Sequence, residues 1–148
     1  MKSSPPMHPH ILLVDDNKDG LLVRKSVLEE AGYRVQIAGN GDEGLKLFEA
    51  SNFDVVVTDY KMPRMNGVEL IQRIRKVNAN ARIILLSGFV EPLGLTEDNT
   101  GADVVIPKSS NEPAHLLRWV KRLLNRTEAR KPPATQRAAA TRVRANTR

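Results

Sequence analysis

The sequence predicts an α/β fold in which a doubly wound parallel sheet of five strands is covered by helices on both faces. Short apolar runs alternate with amphipathic segments along the chain, the order expected of a parallel sheet. The central run, Val55-Val56-Val57, is apolar at consecutive positions, as in strands that are buried on both faces. A length of 148 residues with 41% hydrophobic and 27% charged residues suits one globular domain rather than two.

The first half of the chain alternates strand and helix twice. The predicted elements are a strand over 10–14, a helix over 19–31, a strand over 34–38 and a helix over 42–50. Gly32 is typical of the residue that follows a helix. The alternation of polar and apolar residues from Arg34 to Ala38 indicates a strand near the edge of the sheet.

The second half begins with the valine strand, which ends at Asp59. A helix over 68–77, a strand over 82–86, a short strand over 104–106 and a helix over 112–124 follow, with Pro113 in the first turn of the last helix. Pro92, Gly94 and Asn99 leave at most a short, weak helix between 90 and 100. Helical periodicity predicts inward side chains at Leu21, Leu22, Val27, Leu28, Leu45, Phe48 or Leu47, Leu70, Ile71, Ile74, Val77, Leu116, Leu117, Val120, Leu123 and Leu124.

Polar side chains follow four of the predicted strands. Asp15-Asp16 come after the first, Asp59 ends the third, Ser87 follows the fourth and Lys108 comes just after the fifth. An aspartate at such a place is on its own more often a turn former than a ligand. In a parallel sheet, however, all these strand ends lie at the same edge, where α/β proteins bind their ligands. We therefore expect the four groups to meet in one crevice.

The chemistry of this set is that of phosphoryl transfer. Close carboxylates repel one another and need a cation. Ligands with oxygen only, without His or Cys, favour Mg²⁺ or Ca²⁺ over zinc. A lysine and a hydroxyl group can contact phosphoryl oxygens, and a carboxylate can itself accept the phosphoryl group as a nucleophile. The residues predict a phosphoacceptor site.

Together with Met62-Pro63 and Asn66-Gly67, these residues resemble the receiver domain of bacterial response regulators. The resemblance covers about residues 8–126. It implies a flavodoxin-like (CheY-like) sheet with the strand order 2-1-3-4-5. It also implies a chain that carries the phosphoryl group itself and assists its own phosphoryl transfer, rather than an enzyme acting on a separate substrate.

The resemblance also implies a role for each site residue. Asp59 would accept the phosphoryl group from a histidine kinase or phosphotransfer protein. Asp16 would bind Mg²⁺ directly, Asp15 largely through water, and the backbone carbonyl of Lys61 would be a further ligand. Lys108 would pair with the phosphoryl group. The hydroxyl group at the end of the fourth strand, Ser87, would swing toward it and signal phosphorylation to a downstream protein.

The sequence departs from the family pattern around the switch. Receivers commonly have an aromatic residue three positions before the lysine, and here that position is Val105. A cis proline usually follows the lysine, whereas here Pro107 precedes it and Ser109 follows it. Phe89 is a candidate substitute for the missing aromatic. Trp119, on the last helix, is interpreted either as a partner contact or as a packing residue.

Three alternatives compete with this interpretation. Gly39, Gly41 and Gly44 form a G-x-G-x-x-G pattern with Asp59 downstream, as in dinucleotide-binding domains. That hypothesis leaves the other polar strand ends unexplained, and Gly39 and Gly41 are interpreted as turn residues. An aspartyl phosphatase needs D-x-D on the first strand, where this chain has adjacent aspartates. A degenerate receiver that docks partners without phosphorylation stays open.

The ends of the chain differ from its centre in composition. We expect a flexible leader over 1–9, the receiver domain over 10–126 and a basic, disordered tail over 127–148. The seven basic residues and one acidic residue from Arg126 onward account for the whole net charge of +6. Contact with nucleic acid is expected only through this tail, and a solubilising role is an equal alternative. No covalent output domain is expected.

Some classes of protein are excluded by composition. The chain has no cysteine, so disulfides and thiolate metal sites are ruled out. The longest apolar runs have four residues, as in Ile11-Leu12-Leu13-Val14, and are too short to span a membrane, and we expect no signal peptide at the start of the chain. We expect a cytoplasmic protein that does not contact membranes.

Overall fold

The computed structural model describes residues 8–88, 94–109 and 111–126, in which strands and helices alternate. The strands are β1 (His10–Val14), β2 (Arg34–Ala38), β3 (Val55–Asp59), β4 (Ile83–Ser87) and β5 (Val104–Pro107). The helices are α1 (Lys18–Glu30), α2 (Gly41–Ala50), α3 (Gly67–Val77), α4 (Glu97–Thr100) and α5 (Glu112–Leu124). The predicted succession of elements is confirmed.

The strands form one parallel sheet in the order β2-β1-β3-β4-β5. This is the doubly wound order that was predicted. β3 pairs with β1 on one side and β4 on the other, and every residue of β3 is buried. β2 lies at an edge and alternates between exposed and half-buried residues until the buried Ala38 at its end, as its sequence predicted. The strand that ends at Asp59 is therefore the centre of the sheet.

The core lies in two layers, one on each face of the sheet, because successive strand residues point to opposite faces. Leu12 and Val56 pack with α2 and α3 on one face, whereas Leu13 and Val57 pack with α1 and α5 on the other. The fully buried helix residues include Leu28 of α1, three residues of α3 and two of α5. Those of α3 and α5 are Leu70, Ile71, Ile74, Leu116 and Val120.

Two of the predicted inward positions were wrong. Leu22 is 50% exposed because the inward face of α1 is formed by Leu21, Arg24 and Leu28, and Leu22 lies to the side of that line. Val77 is 51% exposed because it is the last residue of α3, one turn beyond the buried Ile74. Of the remaining inward positions, those that are half-buried rather than buried are Val27, Leu45, Leu47, Leu117 and Leu124.

The helix ends follow from local hydrogen bonds. The side chain of Asn17 accepts from the N–H of Gly20 at 3.0 Å, so that α1 begins at Lys18. In the region predicted to hold at most a short helix, α4 has only four residues. Thr96 caps its start, and Gly101, with φ of 82°, ends it in the left-handed conformation that glycine tolerates best.

Gly67 allows α3 to begin directly against the end of β3. Its N–H donates to the carbonyl oxygen of Tyr60 at 2.7 Å. A Cβ atom at this position would lie 2.4 Å from the carbonyl oxygen of Asp59 and 2.7 Å from Cδ1 of Leu85. Only glycine leaves room for this approach, so Gly67 helps to fix the backbone that carries Asp59.

Several predictions concern residues outside the described ranges. The basic tail over 127–148 and Phe89 lie outside them, as does the predicted leader except for His8 and Pro9. The carbonyl oxygen of Pro9 accepts from the N–H of Arg34 at 2.9 Å. Among the described helices, none combines the length and the apolar character that crossing a membrane would require.

We expect Gly67→Ala to lower the free energy of unfolding by about 1–3 kcal/mol, because the new methyl group overlaps backbone that cannot give way. Urea denaturation measures the change. Gly39→Ala is the matched control, since a Cβ there would meet only Oε1 of Glu43, at an ordinary 3.6 Å. Equal losses in the two variants would contradict the proposed close packing at Gly67.

Candidate functional site

The carboxyl edge of the sheet carries an open cavity of about 230 Å³. Because the strands are parallel, residues that follow different strands are brought to this edge. The lining residues are Asp15, Asp16, Asn17, Asp59, Lys61, Ser87, Gly88 and Lys108. The structure therefore places every predicted metal-ligating and phosphoryl-contacting residue in one cavity.

Three carboxylates form the acidic side of this cavity. Asp15, Asp16 and Asp59 can each offer a ligand oxygen, and these oxygens lie within 4.8 Å of one another. Asp15 and Asp59 are buried, with 2% and 5% of their surfaces exposed, whereas Asp16 is exposed. A set of carboxylate oxygens at this spacing, open to solvent on one side, fits a hard divalent cation that keeps part of its water shell.

A lysine closes the opposite side of the cavity. Nζ of Lys108 lies 2.6 Å from Oδ1 of Asp59, and its side chain stays about one-third exposed. The backbone N–H of Lys108 donates to the carbonyl oxygen of Ser87 at 3.0 Å, which joins the ends of β5 and β4. Ser87 itself is buried. The ion pair across the cavity therefore joins the third and fifth strands in the chain.

The chain resembles known proteins over almost all of the described fold. Its sequence matches the family model of the response regulator receiver domain over residues 11–121. The chain belongs to this family. It is a signalling domain, the receiver of a two-component phosphorelay.

Three relatives illustrate the range of this family. PhoP, the alkaline phosphatase synthesis transcriptional regulatory protein of Bacillus subtilis, is 32% identical over 130 residues, or 85% of this chain and 52% of PhoP. A CheY-like receiver domain protein of Methanospirillum hungatei is 34% identical, with a TM-score of 0.73 over 80% of this chain and 94% of that one. TrrA of Thermotoga maritima, solved with Mg²⁺ and BeF, is 36% identical, with a TM-score of 0.71 over 78% and 98% of the two chains. It has also been solved with the histidine kinase ThkA.

The match covers only part of the curated relatives. This chain spans about half the length of PhoP and 6% of the virulence sensor protein BvgS of Bordetella bronchiseptica. The functions of those whole proteins therefore depend also on segments outside the receiver, and the resemblance to them is confined to the receiver.

The receiver carries a buried arginine that the sequence analysis missed. Nη1 of Arg24 donates to Oδ2 of Asp15 at 2.8 Å, and Nη2 donates to Oε1 of Glu112 at 2.9 Å. Burial tends to lower the pKa of Arg24, but the hydrogen bonds and charges of Glu112 and Asp15 outweigh it and raise the pKa above its ordinary value. A signal was present in the sequence, because Arg24 follows Leu21 by three residues and precedes Leu28 by four, which is an inward position.

The receiver also raises the pKa of the Asp59 carboxyl above its ordinary value. Burial is the main cause, since it disfavours the charged form, and the negative charge of Asp15 adds to it. The hydrogen bond and charge of Lys108, with the charge of Arg24, act in the opposite direction but do not cancel the increase. Without a bound cation, ionisation of Asp59 therefore costs free energy in the folded state.

Two of the predicted switch and partner residues, Val105 and Trp119, lie outside the cavity lining. Val105 is half-buried in β5, and its N–H donates to Oε2 of Glu97 at 2.8 Å. Trp119 is half-buried on α5, packs against the core on that face, and has the guanidinium carbon of Arg122 at 4.8 Å from its ring centroid. The described residues contain no cis peptide bond, including the bonds on either side of Lys108.

Two glycines of the G-x-G-x-x-G pattern serve helix packing. A Cβ at Gly41 would lie 2.7 Å from Sδ of Met65, and one at Gly44 would lie 2.8 Å from Cγ2 of Val14. Gly41 is the first residue of α2 rather than a turn residue, which corrects the sequence-based interpretation. Gly41 and Gly44 let α2 lie close to Met65, which precedes α3, and to Val14 of β1, so packing explains these two glycines without a nucleotide.

We expect Asp59→Asn to raise the melting temperature at about pH 7 in buffer free of divalent cations, by about 2–4 °C for each kcal/mol gained. The folded-state pKa of this acid is raised, so its ionisation destabilises the fold at every pH above that pKa. The penalty disappears as the pH falls below the ordinary pKa, so the two proteins should converge toward about pH 4. Thermal unfolding followed by circular dichroism measures both effects.

Glu49→Gln is the control for this prediction, because it removes an exposed carboxylate of α2 far from the cavity. It should show no gain that depends on pH in the same way. A lower melting temperature for Asp59→Asn at neutral pH would mean that the ion pair with Lys108 outweighs burial and repulsion.

Proposed function

We propose that Asp59 accepts a phosphoryl group from a histidine kinase or phosphotransfer protein in a reaction that requires Mg²⁺. The observation that carries this proposal is the 2.6 Å contact between Lys108 and Asp59 beside two further carboxylates in one open cavity. TrrA, which is similar in fold and sequence, binds Mg²⁺ with BeF and a histidine kinase, and this supports the same chemistry here.

Asp59 is the group to be phosphorylated because it combines burial with access. It ends the central strand, its side chain is buried, and it still lines the open cavity. In the reaction one of its carboxylate oxygens bonds to phosphorus while the bond from phosphorus to the donor nitrogen breaks, and the leaving imidazole takes up a proton. The exposed mouth of the cavity gives a phosphohistidine room to approach.

The other lining residues balance charge during the transfer. Asp15, Asp16, Asp59 and the backbone carbonyl of Lys61 would hold Mg²⁺, which supplies positive charge to the phosphoryl oxygens when bound. Lys108, already paired with Asp59, would supply a second positive charge from the opposite side. The chain thus assists its own phosphorylation by holding charges in place, without turning over a separate substrate.

We further propose that the response to phosphorylation begins at Ser87. It is buried at the end of β4, next to the lysine that contacts Asp59. Movement of its hydroxyl group toward the phosphoryl group would shift the β4 and β5 edge, where Val105 stands in place of an aromatic switch residue. Phe89 is the proposed substitute for that aromatic, and Trp119 is the proposed contact for a downstream protein. Nucleic acid would be contacted only by the basic tail.

Incubation with acetyl phosphate and Mg²⁺, followed by intact mass measurement, tests the phosphoacceptor. We expect one phosphoryl adduct on the wild type and none on Asp59→Asn, because the amide cannot form the acyl phosphate. Asp42→Asn, which changes an exposed aspartate in the first turn of α2, should still give the adduct. A wild type that gains no adduct, or an adduct that persists in Asp59→Asn, would favour the alternative of a docking module that works without phosphorylation at this residue.

A second experiment should distinguish the role of the metal ligands from that of the lysine. Asp16→Ala removes a carboxylate of the cluster, so we expect Mg²⁺ affinity to fall at least about tenfold and phosphorylation to be lost with it. Lys108→Ala leaves all three carboxylates in place. It should still bind Mg²⁺ but should not couple phosphorylation to structural change, which hydrogen exchange of β4 and β5 would report.

If phosphorylation changes the hydrogen exchange of Lys108→Ala as much as that of the wild type, Lys108 is not part of the proposed switch. Mg²⁺ affinity that is unaffected by Asp16→Ala would place the cation elsewhere.

A further inference from the structure

A buried ion network joins the acidic cavity to the first turn of α5. Arg24 bonds to Asp15 through Nη1, and it meets Glu112 through Nη2 and through Nε, which lies 3.2 and 3.3 Å from the two carboxylate oxygens. The exposed fractions of the three residues are only 9%, 2% and 5%. Phosphoryl transfer as described above uses Asp15 but gives no role to Arg24 or Glu112.

Stability alone is a poor explanation for this network. Desolvating the charges costs free energy, and replacing a buried ion pair with apolar residues of similar volume is often neutral or stabilising. The neighbouring inward positions of α1, Leu21 and Leu28, are apolar and pack in the same core layer. A leucine at position 24 would continue that stripe, so the arginine is best explained by what its charged groups hold.

The contacts use the forked shape of the guanidinium group. One edge, formed by Nε and Nη2, meets Glu112, while Nη1 points to Asp15. A lysine has a single nitrogen and cannot bond in both directions with this geometry. Gly20 leaves the space that the contact needs, because a Cβ there would lie 3.0 Å from Nη1 of Arg24 and 3.4 Å from Oδ2 of Asp15.

We propose that Arg24 is a positioning residue of the metal site, which holds the Asp15 carboxylate in place for the cation and is itself held by Glu112. The inference rests on the proposed Mg²⁺ site. The other oxygen of Asp15, Oδ1, accepts from the N–H of Asn17 at 3.0 Å, so both oxygens have a fixed direction. A carboxylate that is oriented before the cation arrives loses less freedom on binding, and partners of this kind commonly change metal affinity by about 10–100-fold.

The charge of Arg24 and the orientation that it gives to Asp15 have opposite effects on cation affinity, so the experiment must separate them. The positive charge of Arg24 beside Asp15 weakens cation binding by repulsion, whereas the fixed orientation of Asp15 strengthens it. Arg24→Lys keeps the charge and removes the fork. Any loss of affinity in that variant therefore reports on orientation.

The first test uses Mn²⁺ as the probe and measures its dissociation constant from the electron paramagnetic resonance signal of the free hydrated ion. We expect Arg24→Lys to bind Mn²⁺ about tenfold more weakly than the wild type. Lys25→Arg is the matched control, because Lys25 is the neighbouring basic residue and pairs with Glu29 on the exposed face of the same helix. Its affinity should stay within about twofold of the wild type.

An affinity of folded Arg24→Lys within about twofold of the wild type would overturn the proposal, since a simple positive charge would then suffice. Thermal unfolding of each variant verifies that binding is measured on folded protein.

A second test does not depend on the folding of Arg24→Lys. Glu112 is not among the residues that line the cavity, and Glu112→Gln leaves Arg24 and Asp15 unchanged. If Glu112 acts through Arg24, the substitution should weaken Mn²⁺ binding about tenfold in the wild type and by less than about twofold in an Arg24→Met background. Equal weakening in both backgrounds would reveal a direct effect of the Glu112 charge and would overturn the proposal, as would no effect in either.

The outcomes also distinguish this inference from the proposed function. A wild type that binds no Mn²⁺ and cannot be phosphorylated would overturn both. A wild type that binds Mn²⁺ and is phosphorylated, with affinities that are insensitive to Arg24→Lys and Glu112→Gln, would overturn only the role of Arg24.

Discussion

Repulsion among three carboxylates at one edge of the sheet is the constraint on which the rest of this receiver depends. Asp15, Asp16 and Asp59 lie close enough to share a cation, and two of them are buried, where like charges interact most strongly. Two basic residues offset this repulsion, Arg24 from α1 and Lys108 from the end of β5. The fold thus places a basic residue from each of two elements beside the acidic site.

The parallel sheet supplies that arrangement because each strand delivers its last residue to the same edge. The central position of β3 buries every residue up to Asp59, so Asp59 is held by neighbouring strands on both sides. Gly67 then lets the chain turn into α3 with its backbone against the carbonyl group of Asp59. The position of the Asp59 carboxyl group at the edge of the sheet therefore depends on the backbone packing at Gly67.

The sequence was sufficient for the parts that depend on local patterns. Runs such as Val55-Val56-Val57 predict buried strands, and polar residues placed directly after several strands predict a common site, whatever the distance between them in the chain. The periodicity of apolar residues could not identify an inward position of a helix that is polar. It assigned Leu22 to the core because that residue is apolar, and it passed over Arg24, whose buried charge is paired in part with Glu112, 88 positions away. A pairing of that kind is a property of the tertiary structure.

The two basic residues of the site differ in a way that assigns them different tasks. Lys108 is partly exposed, ends in a single nitrogen and is attached to the last residues of an edge strand, so it can follow a change in charge at Asp59. Arg24 is buried and bonded to two carboxylates, and moving it would leave Glu112 desolvated without a partner. The α1 side of the cavity is therefore the fixed side. If Asp59 is phosphorylated as proposed, we expect the structural change to pass through Lys108 and Ser87 to β4 and β5.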